Sequence, residues 1–220
     1  MKAVIFDFNG TLFDDTRFHV ISWRRYMHRR FGLELTEGDV RTRFIGPNNS
    51  QIFRNNFGDR FSPEEVRAFS LEKEAEYRAA VLEDSAHPQL IEGAPELFDL
   101  LTERGIPFAL ATASERPNVE FYLNELGLKK WFTLDRVVYD EGKLASKPDP
   151  AFYLEAMRRL GIAPGDCIVC EDSAAGIEAA RRAGAGKIIA IDRTVPREKL
   201  EATPCIHAIV HDYRDFERFL

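Results

Sequence analysis

The stretch "IFDFNGTLFDD", residues 5–15, joins an apolar strand to a polar turn within a few positions. It overlaps the run "KAVIFDF" (2–8), whose residues are apolar nearly throughout rather than alternating with polar ones. That composition is typical of a strand covered on both faces in a parallel sheet. Asp7 ends the strand, and Asn9 stands where a second carboxylate would make chemical sense. The stretch therefore predicts a buried strand that presents a carboxylate at the edge of a sheet.

Five further runs have the composition of short buried strands: "IPFALAT" (106–112), "RVVY" (136–139), "CIVCED" (167–172), "KIIAID" (187–192) and "HAIV" (207–210). Helical segments separate the later runs: "APELFDLLTERG" (94–105), "DPAFYLEAMRRLG" (149–161) and "SAAGIEAARRAGA" (173–185). Asp149 and Pro150 are predicted as the cap and first-turn pair of the second helix. The alternation of strand and helix predicts an α/β fold, a Rossmann-like parallel sheet with helices on both faces.

Residues 16 to about 88 interrupt this alternation with successive helical patterns and no strand between them. One start is explicit at "SPEE" (62–65), where Ser62 caps the helix and two glutamates face the positive end of its dipole. We predict an inserted all-α domain over 15–88 and an α/β core over 1–14 and 89–220, with "AHPQLIEGAP" (86–95) returning the chain to the core.

Composition and charge exclude several classes of partner. The 220 residues carry a net charge of −6, which argues against broad binding to nucleic acid or to an anionic membrane. No apolar run approaches the ~18 residues of a membrane span, and the chain enters a strand without a signal peptide. Cys167 and Cys170 form a C-x-x-C inside an apolar run, so we interpret both as inert core thiols rather than a redox or zinc site. A cytoplasmic protein without nucleic-acid or membrane partners is expected, as a monomer or weak dimer.

Chemically reactive side chains follow three of the predicted strands. In open parallel sheets, ligands bind beyond the carboxyl ends of the strands. Carboxylates, hydroxyls and an ammonium group at that edge suit a divalent metal and a phosphate, because Mg²⁺ prefers carboxylate, water and phosphate oxygens. The set predicts a metal-dependent phosphoryl-transfer site. Its members are Asp7, Thr112, Ser114, Lys147, Glu171 and Asp172.

Four motifs in this order resemble the haloacid dehalogenase (HAD) superfamily, in its helical-cap branch of β-phosphoglucomutase-like and phosphoglycolate phosphatase-like proteins. "DFNGT" resembles the first motif D-x-D-G-T, "LATAS" the second, "SKPDP" the third and "CEDSAAGIEAA" the fourth. The resemblance covers nearly the whole chain. It implies that the inserted helices form a cap domain, that Mg²⁺ is the cofactor and that a small phosphorylated metabolite is the substrate.

The resemblance also implies roles for individual residues. Asp7 corresponds to the nucleophile that forms an aspartyl-phosphate, and Lys147 to the lysine that steadies both nucleophile and phosphate. Backbone amides of the turn from Phe8 to Thr11, with Gly10 allowing a close approach, are expected to cradle phosphate oxygens. The remaining implied assignments are Thr112 and Ala113 as phosphate-binding residues, and Asp7, the backbone carbonyl of Asn9, Glu171 and Asp172 as metal ligands.

Asn9 departs from the first motif, because phosphatases of this family have an aspartate there that protonates the leaving oxygen and then activates water. A primary amide does neither, although it can donate and accept hydrogen bonds. General acid–base catalysis is typically worth ~10²–10⁴-fold, so a slow phosphatase is expected. The alternative from a different class is a phosphate-ester-binding or regulatory protein with an impaired site. A response-regulator-like phosphoacceptor is disfavoured by the helical insertion.

Other chemistries of the family leave their own signatures. Its dehalogenases lack the metal carboxylates that Glu171 and Asp172 provide here. Its phosphonoacetaldehyde hydrolases use a cap lysine as a Schiff base, and Lys73 has charged sequence neighbours that predict a solvated amine. Its phosphomutases carry an arginine in the loop equivalent to "IGPNNSQ" (45–51), which here offers polar groups suited to hydroxyl-rich substrates.

Several of these residues also have purely structural interpretations. Thr112 and Ser114 could cap a helix that begins near Glu115. Glu171 and Asp172 could be a first-turn acidic pair on a helix dipole. Trp23, on the first inserted helix, is predicted to pack in a core, whereas His19 on the same helix is a candidate for facing the site.

Overall fold

The structure is a computed structural model that describes residues 2–45, 48–85 and 89–220. The chain divides into two compact units, one formed by Met1–Asp14 with Gln89–Leu220 and the other by Asp15–Pro88. In chain order the elements are β1 Ala3–Phe6, α1 Thr16–Phe31, α2 Glu37–Arg43, α3 Asn49–Phe57, α4 Pro63–Leu82, α5 Ala94–Glu103, β2 Phe108–Glu115, α6 Arg116–Glu125, β3 Val137–Asp140, α7 Ala151–Leu160, β4 Cys167–Glu171, α8 Ala174–Arg182, β5 Lys187–Ile191, α9 Arg197–Glu201 and β6 Ala208–Val210.

The α/β unit contains a six-stranded sheet with the order β3-β2-β1-β4-β5-β6. Every neighbouring pair of strands in this sheet is parallel, which confirms the predicted fold class. The strand of the opening motif, β1, lies in the middle. Its last residue, Phe6, pairs with Leu110 of β2 on one side and with Cys170 of β4 on the other.

Helices cover both faces of the sheet, and the alternating side chains of β1 show why a continuous apolar run is needed. Ala3 and Ile5 pack into a core that also contains buried residues of α7 and α8. Phe6 points to the opposite face, where its ring meets that of Phe98 on α5 with centroids 5.4 Å apart. Because all four residues of β1 are fully buried, neither face has a position for a polar side chain.

Two local predictions differ from the structure. The second strand continues to Glu115 rather than stopping at Thr112, since its pairing with β3 resumes at Glu115 and Asp140 after an irregularity. The helix predicted to be capped by Asp149 has Pro150 as its N-cap residue instead. Asp149 still serves the helix start, because its Oδ1 accepts a hydrogen bond from the Ala151 amide at 2.9 Å.

The helical unit has an aromatic core of its own. The start of α4 is confirmed: Ser62 and Glu65 form a capping box, in which each side chain bonds the backbone amide of the other residue. Trp23 is buried with 1% exposure, as predicted, and its ring contacts that of Phe44 with centroids 5.1 Å apart. Other buried members of this core are Val20, Tyr26, Met27, Val40, Ile52, Phe53 and Phe69.

Two negative expectations from the sequence can be compared with the structure. Across the described residues, we find no helix with the length and apolar character that crossing a membrane requires. Cys167 and Cys170 lie buried on β4, where burial raises the pKa of the Cys167 thiol to about 11 and that of Cys170 well above its usual value. Thiols in this state are poor nucleophiles, in agreement with their interpretation as core residues.

Candidate active site

Strand register brings two distant carboxylates together at the centre of the sheet. Phe6 pairs with Cys170, so the residues that follow them, Asp7 and Glu171, lie side by side at the carboxyl ends of β1 and β4. The Lys147 ammonium bridges the two carboxylates, with Nζ 2.7 Å from Asp7 Oδ1 and 2.7 Å from Glu171 Oε1. Burial alone would lower the pKa of Lys147, but the charges of Asp7 and Glu171 raise it above its ordinary value. Lys147 is therefore a fixed positive charge beside Asp7.

Glu171 accepts four hydrogen bonds. Its Oε1 accepts from Lys147 and from the Tyr153 hydroxyl at 3.0 Å, while its Oε2 accepts from the Ser173 amide at 2.7 Å and the Ser173 hydroxyl at 3.0 Å. A carboxylate has about four lone-pair sites, so protein donors already use the capacity of this one. Tyr153 remains a proton donor, because burial and then the charges of Glu171 and Asp7 raise the pKa of its phenol well above 10. Glu171 thus holds the Lys147 ammonium in place through Oε1.

Gly176 on α8 makes this anchoring possible. A Cβ atom at position 176 would lie 1.6 Å from Glu171 Oε1, which no side chain can tolerate. Helix α8 begins at Ala174 with Ser173 as its N-cap, and the Ser173 hydroxyl accepts from the Gly176 amide. The glycine therefore lets the first turn of α8 pass directly against the Glu171 carboxylate.

Asp172 is held by two hydroxyl groups. Thr11 donates to Oδ1 at 3.0 Å, and Thr194, from the segment after β5, donates to Oδ2. Burial, followed by the charges of Glu171 and Asp7, raises the pKa of Asp172 well above its usual value. Gly10, with a φ of +74°, allows the close approach, since a Cβ there would lie 2.1 Å from Asp172 Oδ2. Thr194 lies outside the four sequence motifs, so no motif indicated its contact with Asp172.

The donor set fits a divalent cation. Asp7, Glu171 and Asp172 are all buried, and each offers an oxygen within 4.8 Å of the others. When ionised, the three carboxylates carry three negative charges, and Lys147 compensates only one of them. An additional cation would lower the repulsion that raises the pKa of Asp172, and hard carboxylate oxygens are the ligands that Mg²⁺ prefers.

The turn after Asp7 differs in part from the predicted phosphate cradle. The Gly10 amide donates to the Phe13 carbonyl at 2.8 Å, and the Thr11 amide donates to the Phe8 carbonyl at 3.2 Å. These two amides hold the turn itself together, so they do not serve as phosphate donors in this conformation. The contribution of Gly10 is its positive φ and its missing side chain rather than its N–H.

The side chain of Asn9 contacts residues from β2 and α6. Its Nδ2 donates to the Tyr122 hydroxyl at 3.1 Å, and its Oδ1 accepts from the Ser114 hydroxyl at 2.9 Å. Ser114 lies within β2, and the N-cap of the following helix is Glu115 without a side-chain hydrogen bond, so the capping interpretation of Ser114 is wrong. Tyr122 was not among the predicted site residues, since its position on an amphipathic helix indicates only core packing.

The second phosphate-binding prediction falls on β2. Thr112 is 1% exposed and accepts a hydrogen bond from the Ser114 amide at 3.1 Å, whereas Ala113 is exposed. Phe8 is fully buried with its ring stacked on that of Tyr122. On β2, Thr112 lies two residues beyond Leu110, and Leu110 pairs with Phe6, the residue before Asp7.

Lys73, in the helical unit, contradicts the prediction of a solvated amine. It is 1% exposed, and its Nζ lies 2.8 Å from Glu74 Oε1 and 2.9 Å from His19 Nδ1. The buried positions of α4 recur at helical spacing, which places Lys73 on the inner face while its charged sequence neighbours Glu72 and Glu76 point elsewhere. His19 also approaches Asp15, with its Nε2 3.4 Å from Oδ2. His19 thus belongs to a buried polar cluster of the helical unit.

The polar loop over 45–51 is partly engaged in helix α3. Gly46 and Pro47 lie outside the described residues, as does the 86–88 part of the returning segment. Asn48 caps α3 by accepting from the Gln51 amide, and Asn49 donates to Glu74 Oε1 at 2.9 Å. Gln51 donates to Asn55 at 2.8 Å.

The site is thus a cluster of buried carboxylates at the carboxyl ends of the central strands of a parallel sheet, and comparison with known proteins agrees with it. A family model of haloacid dehalogenase-like hydrolases matches residues 1–184. The chain belongs to this family. The match confirms the resemblance found in the four motifs.

Three relatives illustrate the similarity. The chain is 30% identical over 203 residues to a phosphorylated carbohydrates phosphatase of Thermotoga maritima, covering 87% of this chain and 85% of the relative. It is 30% identical over 183 residues to a validoxylamine A 7'-phosphate phosphatase of Streptomyces hygroscopicus subsp. limoneus, covering 83% and 82%. The crystal structure of a HAD hydrolase, family IA, variant 3, from Entamoeba histolytica superposes with a TM-score of 0.90 at 32% identity, covering 98% of this chain and 95% of that one. Together they confirm the predicted class, a HAD-like phosphoric monoester hydrolase.

Proposed function

We propose that the protein is a Mg²⁺-dependent phosphatase that acts on small phosphorylated metabolites, with sugar phosphates as the substrate class, through an aspartyl-phosphate on Asp7. The observation that carries the proposal is the Lys147 bridge between Asp7 and Glu171, at 2.7 Å to each carboxylate. The relatives named as phosphatases of phosphorylated carbohydrates and of validoxylamine A 7'-phosphate support the substrate class. The helical unit, residues 15–88, is proposed to contribute to substrate selection.

The charges around Asp7 suit attack on a phosphate ester. Both the attacking carboxylate and the phosphate are anionic, so their approach needs a positive charge, and Lys147 supplies one at a fixed position. An Asp7 oxygen forms the new bond to phosphorus while the bond from phosphorus to the substrate oxygen breaks. Water then hydrolyses the acyl phosphate, which releases inorganic phosphate and restores Asp7. Thr112 is proposed to bind the transferring group.

Asp7, Asp172 and the backbone carbonyl of Asn9 would hold Mg²⁺, which when bound supplies a second positive charge beside the phosphoryl oxygens. Glu171, predicted from the resemblance as a ligand, is proposed instead to hold Lys147 and to add its charge to the metal site. This assignment follows from the four hydrogen bonds that it accepts.

The side-chain amide of Asn9 is the reason that we expect a low rate of phosphate-ester hydrolysis. Its amide cannot protonate the leaving oxygen or deprotonate water, so those proton transfers fall to solvent. The loss of general acid–base catalysis corresponds to a turnover about 10²–10⁴-fold below that of an enzyme with an aspartate in this position. The protein is therefore proposed to be a slow phosphatase.

The experiment measures phosphate release from a panel of sugar phosphates with Mg²⁺, for the wild type, Asn9→Asp and Asp7→Asn. The proposal expects slow release by the wild type, faster release by Asn9→Asp and none by Asp7→Asn. Asp135→Asn makes the same chemical change at an exposed residue and should match the wild type. Binding of the sugar phosphates without turnover in either the wild type or Asn9→Asp would instead favour a phosphate-ester-binding or regulatory protein.

A further inference from the structure

Three side chains of the α/β unit form a closed ring of hydrogen bonds. Ser114 Oγ lies 2.9 Å from Asn9 Oδ1, and Asn9 Nδ2 lies 3.1 Å from the Tyr122 hydroxyl. That hydroxyl lies 3.1 Å from Ser114 Oγ, which closes the ring. The ring joins the turn after β1 to β2 and α6. Tyr122 stands outside the four sequence motifs, so the motifs alone give no indication of it.

The number of protons in the ring matches an amide at position 9. Three contacts need three protons, and the serine hydroxyl, the tyrosine hydroxyl and the amide N–H supply one each. Ser114 donates to Asn9 Oδ1, which has no hydrogen, so the hydrogen between the two hydroxyls must come from Tyr122. Exchanging the amide oxygen and nitrogen of Asn9 reverses every donor and acceptor and closes the ring equally well.

An ionised carboxylate at position 9 would not complete the ring, because it supplies no proton. Both hydroxyls would donate to the carboxylate, and no proton would remain for the contact between Ser114 and Tyr122. Two oxygen atoms would then face each other at 3.1 Å with only lone pairs between them. Unmatched polar contacts of this kind destabilise the arrangement that contains them.

Packing prevents the ring from adjusting easily. Tyr122 is 1% exposed, and its aromatic ring stacks on that of Phe8, with centroids 3.9 Å apart and planes inclined by 22°. Ser114 lies in the irregular part of β2 between Ala111 and Glu115, where its amide donates to Thr112 Oγ1 at 3.1 Å. The Tyr122 hydroxyl therefore cannot move away without disturbing the stacked rings of the core.

We propose that Ser114 and Tyr122 are positioning residues that fix the Asn9 side chain and match the site to an amide there. This inference rests on the proposed function and deepens it. Ser114 and Tyr122 are then arranged around the amide of Asn9. Asn9→Asp alone leaves a mismatched ring whenever the new carboxyl group is ionised. Removing the Tyr122 hydroxyl resolves the mismatch, because Ser114 can then donate to the carboxylate without an opposing oxygen.

The kinetic test is a double-mutant cycle of the wild type, Tyr122→Phe, Asn9→Asp and the double variant. We compare the factor by which Asn9→Asp raises kcat in the wild type with the same factor in the Tyr122→Phe background. The factor should be about fivefold larger in the Tyr122→Phe background, a difference that corresponds to the free energy of one ordinary hydrogen bond. KM should stay the same across the cycle, because the ring acts on Asn9 rather than on substrate binding. Tyr139→Phe removes a hydroxyl that bonds the exposed Glu141, and in that background the factor should equal that in the wild type. Equal or smaller factors in the Tyr122→Phe background would overturn the proposal.

A second measurement does not depend on turnover. The side-chain amide of Asn9 gives a pair of ¹⁵N–¹H signals that are identified by their loss in Asn9→Asp. Tyr122→Phe and Ser114→Ala should each move these signals, since each removes a hydrogen-bond partner, whereas Tyr139→Phe should leave them in place. Unmoved signals in both variants would refute the ring even if the enzyme is active. Moved signals without phosphate release in any variant would refute the proposed function and leave the ring standing.

Discussion

Lys147 Nζ lies 2.7 Å from Asp7 Oδ1, although 140 positions separate the two residues in the chain. The same ammonium lies 2.7 Å from Glu171 Oε1, so one positive charge separates two buried carboxylates. Breaking a buried ion pair by removing one partner is costly, because the remaining charge is left without compensation.

Replacing Lys147 by methionine keeps most of the side-chain volume and removes the charge. We expect Lys147→Met to lower kcat by at least ~10²-fold, as for loss of a fixed electrostatic group, and to lower the free energy of unfolding by about 3–5 kcal/mol. Phosphate release and urea unfolding measure the two effects. Lys130→Met breaks an exposed pair with Asp99 and should cost no more than about 1 kcal/mol without changing kcat. A Lys147 variant as active as the Lys130 variant would contradict the role of the bridge.

Gly176→Ala tests the contact between α8 and Glu171. In an ordinary helix this change stabilises by roughly 0.5–1 kcal/mol. Here the new methyl group would occupy the place of the Glu171 carboxylate, so Glu171 must leave Lys147 and Ser173. We expect reduced stability and a loss of kcat comparable to that of Lys147→Met. Gly165→Ala, where a Cβ has open space, is the control and should leave kcat unchanged.

Metal binding should stabilise the fold, because a cation at Asp7 and Asp172 relieves the repulsion among three buried carboxylates. At a Mg²⁺ concentration about 100 times its dissociation constant, the free energy of unfolding should rise by ~2.7 kcal/mol. Asp172→Asn should remove most of this increase, while Glu198→Gln, an exposed carboxyl change, should retain it. Denaturant unfolding of each variant with and without Mg²⁺ measures this increase in the free energy of unfolding. If Mg²⁺ raises the free energy of unfolding of Asp172→Asn as much as that of the wild type, the metal binds elsewhere.

Acid should destabilise the helical unit through Glu74. Burial alone would raise the pKa of Glu74, but Lys73, His19 and Asn49 lower it from 4.5 to about 2. Because the folded-state pKa is the lower one, the stabilisation is fully present above pH 4.5 and is lost as the pH falls towards 2. A shift of this size corresponds to about 3 kcal/mol.

Denaturant unfolding followed from about pH 5.5, above the ordinary pKa of a glutamate, down to about pH 2.5 should show this decline. Glu74→Gln should remove that part of the pH dependence and destabilise the protein near neutral pH, since Lys73 loses its carboxylate. Glu103→Gln, at an exposed residue at the end of α5, should behave as the wild type. The same pH dependence in Glu74→Gln and in the wild type would assign the decline to other groups.

The sequence predicts the fold and the family well, because both rest on patterns that are local in the chain. Continuous apolar runs indicate strands buried on both faces, and β1 has no exposed residue. The motif residues Asp7, Lys147, Glu171 and Asp172 come together because parallel strands end at one edge of the sheet. The order and spacing of the motifs in the chain therefore predict which residues meet at the site.

What the sequence did not reveal depends on three-dimensional neighbours. Lys73 seemed solvated because its chain neighbours are charged, but the periodicity of α4 turns it inward. Thr194 and Tyr122 lie in a loop and on an amphipathic helix, where a hydroxyl gives no signal of the partner that it meets. The bonds of Glu171 to Lys147 and Tyr153 were not predicted, because these donors lie 24 and 18 residues away in the chain.

The central position of β1 has a consequence for biosynthesis. This strand is made before the other strands of the sheet, and its two partners, β2 and β4, begin at Phe108 and Cys167. At a translation rate of about 5–20 residues per second, β1 waits roughly 5–20 s for the first of them. During that interval a fully apolar strand with two unpaired edges is exposed near the ribosome, where such segments are prone to aggregate. A newly made chain should therefore depend on chaperone shielding of β1 until its partner strands have been synthesised.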